Sequence, residues 1–287
     1  MTKRGELIDG RAIAARILSD VEKGVRELRR DGLTPNLVAV QVGADAGADV
    51  YIRKQKESFA ELGLQLTQLA LDESTSLEGI FTHIDALNAN PTVTGILVTM
   101  PLPEGLPAAR VQERILPTKD VEGVHPENLG RLIYNRHATG PCTALAVLEA
   151  LESTDVELEG KHVVMVGHSD IVGKPVGLYL LQELATITTC HVATRNLAEH
   201  TRKADVLVVA VGKPGLITGD MVSDGVTVID VGISRQKGKR LVGDVEFDSV
   251  APRSRWITPV PGGVGPITVA MLARNTFTCA RNMLTDS

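Results

Sequence analysis

The residues best placed to do chemistry fall in two stretches. VGHSDIVGKP, from Val166 to Pro175, sits where an apolar run meets a helical pattern. There Gly167 and Gly173 would let the backbone and a helix N-terminus approach a pyrophosphate closely. The segment is not the G-x-G-x-x-G fingerprint, and a tight βα turn needing glycine for a positive φ accounts for the same pair. AVGKP (Ala210 to Pro214) and DVG (Asp230 to Gly232) end the later apolar runs and shift the balance toward a nucleotide crevice. The second stretch, TPVPGGVGPITVAML from Thr258 to Leu272, puts three prolines and three glycines into nine residues ahead of an apolar helix. That combination makes a loop that is stiff yet closely approachable.

The elements that must carry these stretches are readable from periodicity. Ile13, Ile17, Val21, Val25 and Leu28 recur at three and four, predicting a helix over Gly10 to Arg30 closed by Gly32 and Pro35. Leu37 to Val42 predicts a buried strand, Asp49 caps a helix through Leu62, Leu64 to Leu69 is a strand, Ser76 to Leu87 a helix and Gly95 to Val98 a strand. A Pro- and charge-rich loop, Pro117 to Pro141, then leads to a helix around Leu145 to Leu151. A second series has strands at His162 to Val166, Thr186 to Val192, Val206 to Val211 and Thr227 to Val231, with a last helix near Val269 to Met283. Alternating strands and helices imply an α/β fold with parallel sheets, whose ligands gather at the carboxyl ends of the strands. The expected division is 1–140 and 141–265, with the helix of 266–287 packing back on the first domain.

Composition bounds the function. The chain has 287 residues, 43% of them hydrophobic, and 30 Lys and Arg against 35 Asp and Glu give a net charge of −5. With no run of like charge longer than the Arg29-Arg30 pair, a nucleic-acid or membrane-surface partner is not expected. Cys142, Cys190 and Cys279 are too few and too scattered for a disulfide framework or a C-x-x-C site, which fits a reducing cytoplasm. No signal peptide or membrane span is read from the apolar runs. His191 and His200 lack companions for a metal site, and Cys142 and Trp256 are read as structural, so no metal is expected.

Taken together, VGHSDIVGKP, AVGKPG, DVGI, GDV (Gly243 to Val245) and TPVPGGVGPITVAML resemble the signatures of the methylenetetrahydrofolate dehydrogenase/cyclohydrolase family, in that family's order. The first half matches as well, through IDG (Ile8 to Gly10), Val42-Gly43, the Tyr51 segment, GILV-x-x-PLP (Gly95 to Pro103), KDV-x-G (Lys119 to Gly123), N-x-GRL (Asn128 to Leu132) and PCT (Pro141 to Thr143). The resemblance implies an N-terminal α/β folate-binding domain, a Rossmann-like parallel-sheet dinucleotide-binding domain, a cleft between them and a homodimer. It implies NADP as cofactor, with NAD as the rival. Tyr51, Val98, Pro101, Leu102, Glu122, Pro261, Gly262 and Gly263 are then the substrate-binding set. Gly167, His168, Ser169, Ile171, Val172, Gly173, Arg195, Val211, Gly212, Ile233 and Thr268 are the cofactor-binding set.

The catalytic positions depart from the pattern. YIRKQ puts Gln55 where the motif Y-x-x-x-K carries its lysine, Thr99 stands where the family has glutamine, and Glu122 where it has aspartate. Tyr51, Gln55, Thr99 and Glu122 are thus the catalytic candidates. At the cofactor end His168 replaces an arginine, Val192-Ala193 replaces small polar and basic residues, and Arg195 remains as a phosphate partner. Hydride transfer relies mainly on orientation and electrostatics and tolerates loss of the lysine. Ring opening of the methenyl product needs proton transfer, which glutamine cannot perform. The expected activity is therefore an NAD(P)-dependent dehydrogenase of one-carbon metabolism with weak or absent cyclohydrolase activity. The alternatives are an oxidoreductase acting on another cyclic imine or iminium, and a non-catalytic folate- or nucleotide-binding regulator.

Overall fold

A computed structural model describes residues 5–44, 46–136, 139–235 and 241–285, apart from the side chains of residues 46–51 and 54. Its elements begin with β1 (Glu6–Leu7), α1 (Gly10–Arg30), β2 (Asn36–Val42), α2 (Ala46–Glu61), β3 (Gln65–Leu71), α3 (Leu77–Ala89), β4 (Gly95–Val98), α4 (Ala108–Gln112) and α5 (Pro126–Ile133). They continue with α6 (Cys142–Glu152), β5 (His162–Val166), α7 (Gly173–Gln182), β6 (Thr186–Cys190), α8 (Leu197–Thr201), β7 (Val206–Val209) and β8 (Val226–Asp230). Last come β9 (Ser234–Arg235), β10 (Leu241–Val242), α9 (Phe247–Val250), β11 (Ser254–Ile257) and α10 (Val264–Thr285). The chain divides into two compact units, Ile17–Gly140 with Leu272–Ser287, and Met1–Arg16 with Pro141–Met271. The division falls within α1 and within α10.

The unit built on Ile17–Gly140 holds a three-stranded parallel sheet ordered β3-β2-β4. Val38, Val40, Val42, Ile96 and Val98 alternate onto one face and meet Ile80 and Ile84 of α3 with Val111 and Ile115. Leu37, Ala39 and Leu97 on the other face are buried as well, as expected of a parallel sheet covered on both sides. Ser76 caps α3 by accepting the Gly79 N–H at 3.1 Å. Three expectations change here. The second helix starts at Ala46, so Asp49 lies inside it; alanines at 46 and 48 are strong enough helix formers to begin the helix earlier. The stretch from Pro117 to Pro141 is not only a loop, because Pro126 at the first helical turn and the His125 cap start α5. The early strands and helices extend one or two residues beyond their expected ends at several places.

The other unit holds a six-stranded parallel sheet ordered β1-β11-β8-β7-β5-β6. Its core joins Val164, Val166, Leu207, Val209, Val226, Val228 and Ile257 to Ile217, Val245 and Val250. β1 places the first residues in this sheet, against the expectation that 1–140 is one domain: Glu6 and Leu7 pair in register with Trp256 and Ile257. The strands also end sooner than expected. β6 stops at Cys190 and leaves Val192 fully exposed, and β7 stops at Val209, after which the Ala210 N–H reaches the Val166 carbonyl at 2.8 Å. The last helix begins at Val264, five residues before its apolar pattern.

Candidate active site

In the three-stranded sheet β2 lies between β3 and β4: its own connection runs to β3 on one side, and the next runs from β3 across to β4 on the other. Such a switch point opens a crevice at the carboxyl ends of the two strands concerned, here β2 and β4. The segment after β4 carries Thr99, Pro101 and Leu102, and Val98 ends the strand with its side chain buried. Thr99 continues the pairing, its N–H donating to the Val40 carbonyl at 2.9 Å and its hydroxyl to the same oxygen at 3.3 Å. Gln55 lies on α2 between Ile52 and Phe59, three and four residues away on one buried face, and is only 4% exposed. Its neighbours Arg53 and Lys56 are exposed. The Tyr51 side chain lies outside the described residues; its backbone is within α2.

Glu122 sits in a loop that its own motif builds. Lys119 Nζ donates to the carbonyls of Leu87, Asn88 and Asn90 at 3.0, 2.8 and 2.7 Å, closing the end of α3. Burial pushes the Lys119 ammonium below its ordinary range. Asp120 Oδ1 accepts the Gly123 N–H at 3.0 Å, and its Oδ2 accepts the His125 N–H at 2.8 Å and Asn128 Nδ2 at 2.9 Å. Asn275 of α10 donates to the carbonyls of Val121 and Gly140, both at 2.9 Å. Glu122 is thus held in a fixed loop. Burial foremost, then the charge of Asp120, raises its carboxyl to about 7, against a hydrogen bond with Gln112. A carboxyl raised toward neutrality is suited to acid–base work.

In the six-stranded sheet the switch point lies between β5 and β7, and the residues after these strands are Gly167 to Gly173 and Ala210 to Pro214. Gly167 has φ +125, and a Cβ there would stand 2.3 Å from the Ala210 carbonyl oxygen. A Cβ on Gly173 would stand 2.3 Å from the Gly167 carbonyl oxygen. The tight-turn reading of the pair holds: the turn demands glycine, and Gly167 draws the β5 and β7 loops together at the switch point. Ser169 Oγ accepts the Gly173 N–H at 3.4 Å at the start of α7. His168, Ser169 and Ile171 are exposed and Val172 half-buried. His168 meets His191, at the end of neighbouring β6, with ring centroids 5.3 Å apart, and Arg195 is exposed a few residues on. Val211 and Gly212 donate their N–H groups to Asp244 Oδ2 at 2.7 and 2.9 Å. Ile233 is exposed, and its Cδ1 would lie 3.4 Å from a Cβ on Gly265.

The loop of Pro261, Gly262 and Gly263 leads into α10, where the Thr268 hydroxyl donates to the Val264 carbonyl at 3.3 Å. Its partner is the IDG motif. The Gly10 N–H donates to the Gly262 carbonyl at 3.0 Å, and a Cβ on Gly10 would stand 1.7 Å from the Gly263 carbonyl oxygen. The cofactor candidates Gly167 to Gly173, Val211 and Gly212 lie on the loops after β5 and β7, Arg195 lies on the loop after the edge strand β6, and Val98, Thr99, Pro101 and Leu102 lie at the end of β4. Sequence reasoning did not identify Asp230 and Asp244 as a pair, nor His191 beside His168. The readable signal was the mirrored order of DVG and GDV, each an aspartate set against a glycine. Among the described residues no three His, Cys, Asp or Glu are grouped to hold a metal, and no helix is long and apolar enough to cross a membrane.

Comparison with known proteins bears on both units. Residues 8–122 match the model of the tetrahydrofolate dehydrogenase/cyclohydrolase catalytic domain, and residues 141–284 match that of the NAD(P)-binding domain of the same enzymes. The bifunctional protein FolD 2 of Geobacter sulfurreducens is 46% identical over 275 residues, 96% of either chain. The structure of the bifunctional FolD methylenetetrahydrofolate dehydrogenase/cyclohydrolase from Campylobacter jejuni is similar at a TM-score of 0.93 and 39% identity, over 96% of this chain and 98% of that one. The Trypanosoma brucei methylenetetrahydrofolate dehydrogenase-cyclohydrolase, complexed with NADP cofactor and inhibitor, gives 0.92 and 37% over 98% and 99%.

Proposed function

Because the chain belongs to the tetrahydrofolate dehydrogenase/cyclohydrolase family, we propose that it oxidises 5,10-methylenetetrahydrofolate to 5,10-methenyltetrahydrofolate with NADP and opens the methenyl ring only weakly. The observation that carries the second half is Gln55, buried at 4% on the core-facing side of α2. A lysine so buried would have a lowered pKa and could pass a proton; a glutamine at the same place only exchanges hydrogen bonds.

The switch-point loops after β5 and β7 fit a dinucleotide, since Gly167 and Gly173 bring them together with no side chain between. When bound there, NADP supplies the hydride acceptor. His168, Ser169, Ile171, Val172 and Gly173 would hold its phosphates at the start of α7, with Arg195 at the end of β6 and Val211, Gly212, Ile233 and Thr268 completing the set. Tyr51, Val98, Pro101 and Leu102 would hold the folate, and the resemblance adds the Pro261 to Gly263 loop to that set. Thr99 and Glu122 remain as the polar groups beside Gln55 in the catalytic set. Glu122, raised to about 7 by burial and by Asp120, is divided between acid and carboxylate near neutral pH, and its carboxylate form is a counter-charge for a cationic product. The reading includes a homodimer, which the resemblance implies, and a cytoplasmic location, which three cysteines too scattered for a disulfide framework favour.

A spectrophotometric assay of both half-reactions with NADP and with NAD tests this. Folate-dependent reduction of NADP is expected, with slow decay of the methenyl product. Gln55→Lys is expected to speed that decay by roughly 10² to 10⁴, the usual worth of general acid–base help. Rapid ring opening by the wild type, unchanged in Gln55→Ala, would contradict the reading of Gln55. Absence of any folate-dependent signal with either nucleotide would overturn the dehydrogenase assignment.

A further inference from the structure

DVG and GDV, on either side of β9 and β10, remain without a role in this scheme, yet they form a single device. Asp230 ends β8 and is 4% exposed; Asp244 is wholly buried. Asp230 Oδ1 accepts the N–H groups of Gly232 and Asp244, and Oδ2 accepts that of Val245, all at 3.0 Å. Asp230 is itself tethered, its N–H donating to the Thr258 hydroxyl at 2.7 Å. Asp244 turns the other way and takes the Val211 and Gly212 N–H groups on Oδ2.

The glycines are the counterpart of the carboxylates. A Cβ on Gly243 would stand 1.8 Å from Asp230 Oδ2, and one on Gly232 would stand 2.2 Å from the Asp244 carboxyl carbon. Each motif thus uses its glycine to admit the aspartate of the other. Burial drives the Asp230 carboxyl up to about 6, with Asp244 adding to the rise and the three N–H bonds opposing it. Two carboxylates kept from water and held by backbone N–H groups are a costly way to brace a turn, since a neutral acceptor would be cheaper to bury.

What they brace is the turn at the carboxyl end of β7. The trans peptides that point the Val211 and Gly212 N–H groups at Asp244 send the Ala210 and Val211 carbonyls to the opposite side. The Ala210 carbonyl accordingly faces Gly167 across the switch point. The orientation of these peptides, and with it the acceptors the crevice offers, is set from behind by a charge no ligand touches.

We propose that Asp244, held in place by Asp230, is a positioning residue for the dinucleotide: its carboxylate fixes the Val211–Gly212 turn in the form that receives the cofactor. The proposal rests on the reading of the β5/β7 crevice as the NADP site. Its test is calorimetric titration of the whole protein with NADP, alongside circular dichroism, thermal melting and the KM for each substrate. Asp244→Ala is expected to weaken NADP about tenfold, as when the receptive turn is populated in only a tenth of molecules. Its KM for the folate substrate should not move. Asp244→Asn keeps an oxygen for the two N–H groups but not the charge, and should fall between, weakened about threefold. A merely structural role would lower the melting temperature of both variants and leave the affinity of the folded protein unchanged, which overturns the proposal. If Asp244→Ala does not fold, Asp244→Asn decides in the same way. A wild type that binds no NADP would instead overturn the reading of the crevice.

Discussion

Glu122→Gln should stabilise this protein in mildly alkaline solution and not in acid. The Glu122 carboxyl is raised from its ordinary 4.5 to about 7, chiefly by burial and then by Asp120. Asp120 does not move away to relieve it, because three N–H donors hold its two oxygens. The folded chain therefore binds this proton more tightly than the unfolded chain does. Below the ordinary value both states are protonated and nothing is lost. As the pH climbs from 4.5 to about 7 the folded state is progressively penalised, and above that the penalty is complete. A displacement of that size is worth on the order of 3 kcal/mol at pH 8, reduced to about 2 kcal/mol by the water that still reaches Glu122, and less than about 1 kcal/mol at pH 5. Glutamine keeps the shape without the charge. Urea unfolding at pH 8 and pH 5 should give a higher midpoint for the variant at pH 8 and nearly matched midpoints at pH 5. Equal gains at both pH values, or none at pH 8, would refute the account of Glu122 as a buried carboxylate beside Asp120. The same variant should lose dehydrogenase activity, separating stability from function at one position.

Gly167→Ala forces a side chain onto a φ of +125 and to within 2.3 Å of the Ala210 carbonyl oxygen, and should cost more than about 3 kcal/mol in a thermal melt together with NADP binding in a titration. Lys119→Met removes one donor from each of three carbonyls at the end of α3, of which those of Leu87 and Asn90 keep a backbone N–H. Relief of the buried ammonium offsets part of that loss, and a net fall of about 2 kcal/mol should appear in the melt, with the loop carrying Glu122 exchanging its amides faster.

The apolar stripe from Ile13 to Leu28 and the buried runs of β2, β4, β5 and β7 were legible because their spacing is set by which faces meet the core. Features that depend on distant partners were not. β1 is two residues long and has no pattern of its own; it is a strand only because Trp256 and Ile257 lie beside it. Val192 and Val211 are apolar enough to prolong their strands on paper, yet both lie past the point where the ladder ends. α5 was written into its sequence by Pro126 and passed over because so few apolar residues follow. At the site, Gln55 was visible as a departure from a motif, but its burial between Ile52 and Phe59 was not. The bond from the Asp244 N–H to Asp230 spans fourteen residues of sequence and becomes visible only when the chain has closed on itself.

Pairing of Glu6 with Trp256 also sets the order in which the molecule can be made. A ribosome adding about 5 to 20 residues per second needs roughly 10 to 50 seconds to travel from one to the other. Through that interval Ile8 and Ile13, both buried in the finished protein, wait beside a sheet edge that does not yet exist. Neither compact unit is a continuous stretch, so no single cut through the chain releases either one whole. Separately expressed halves should reunite as complementing fragments before either behaves as an independent domain.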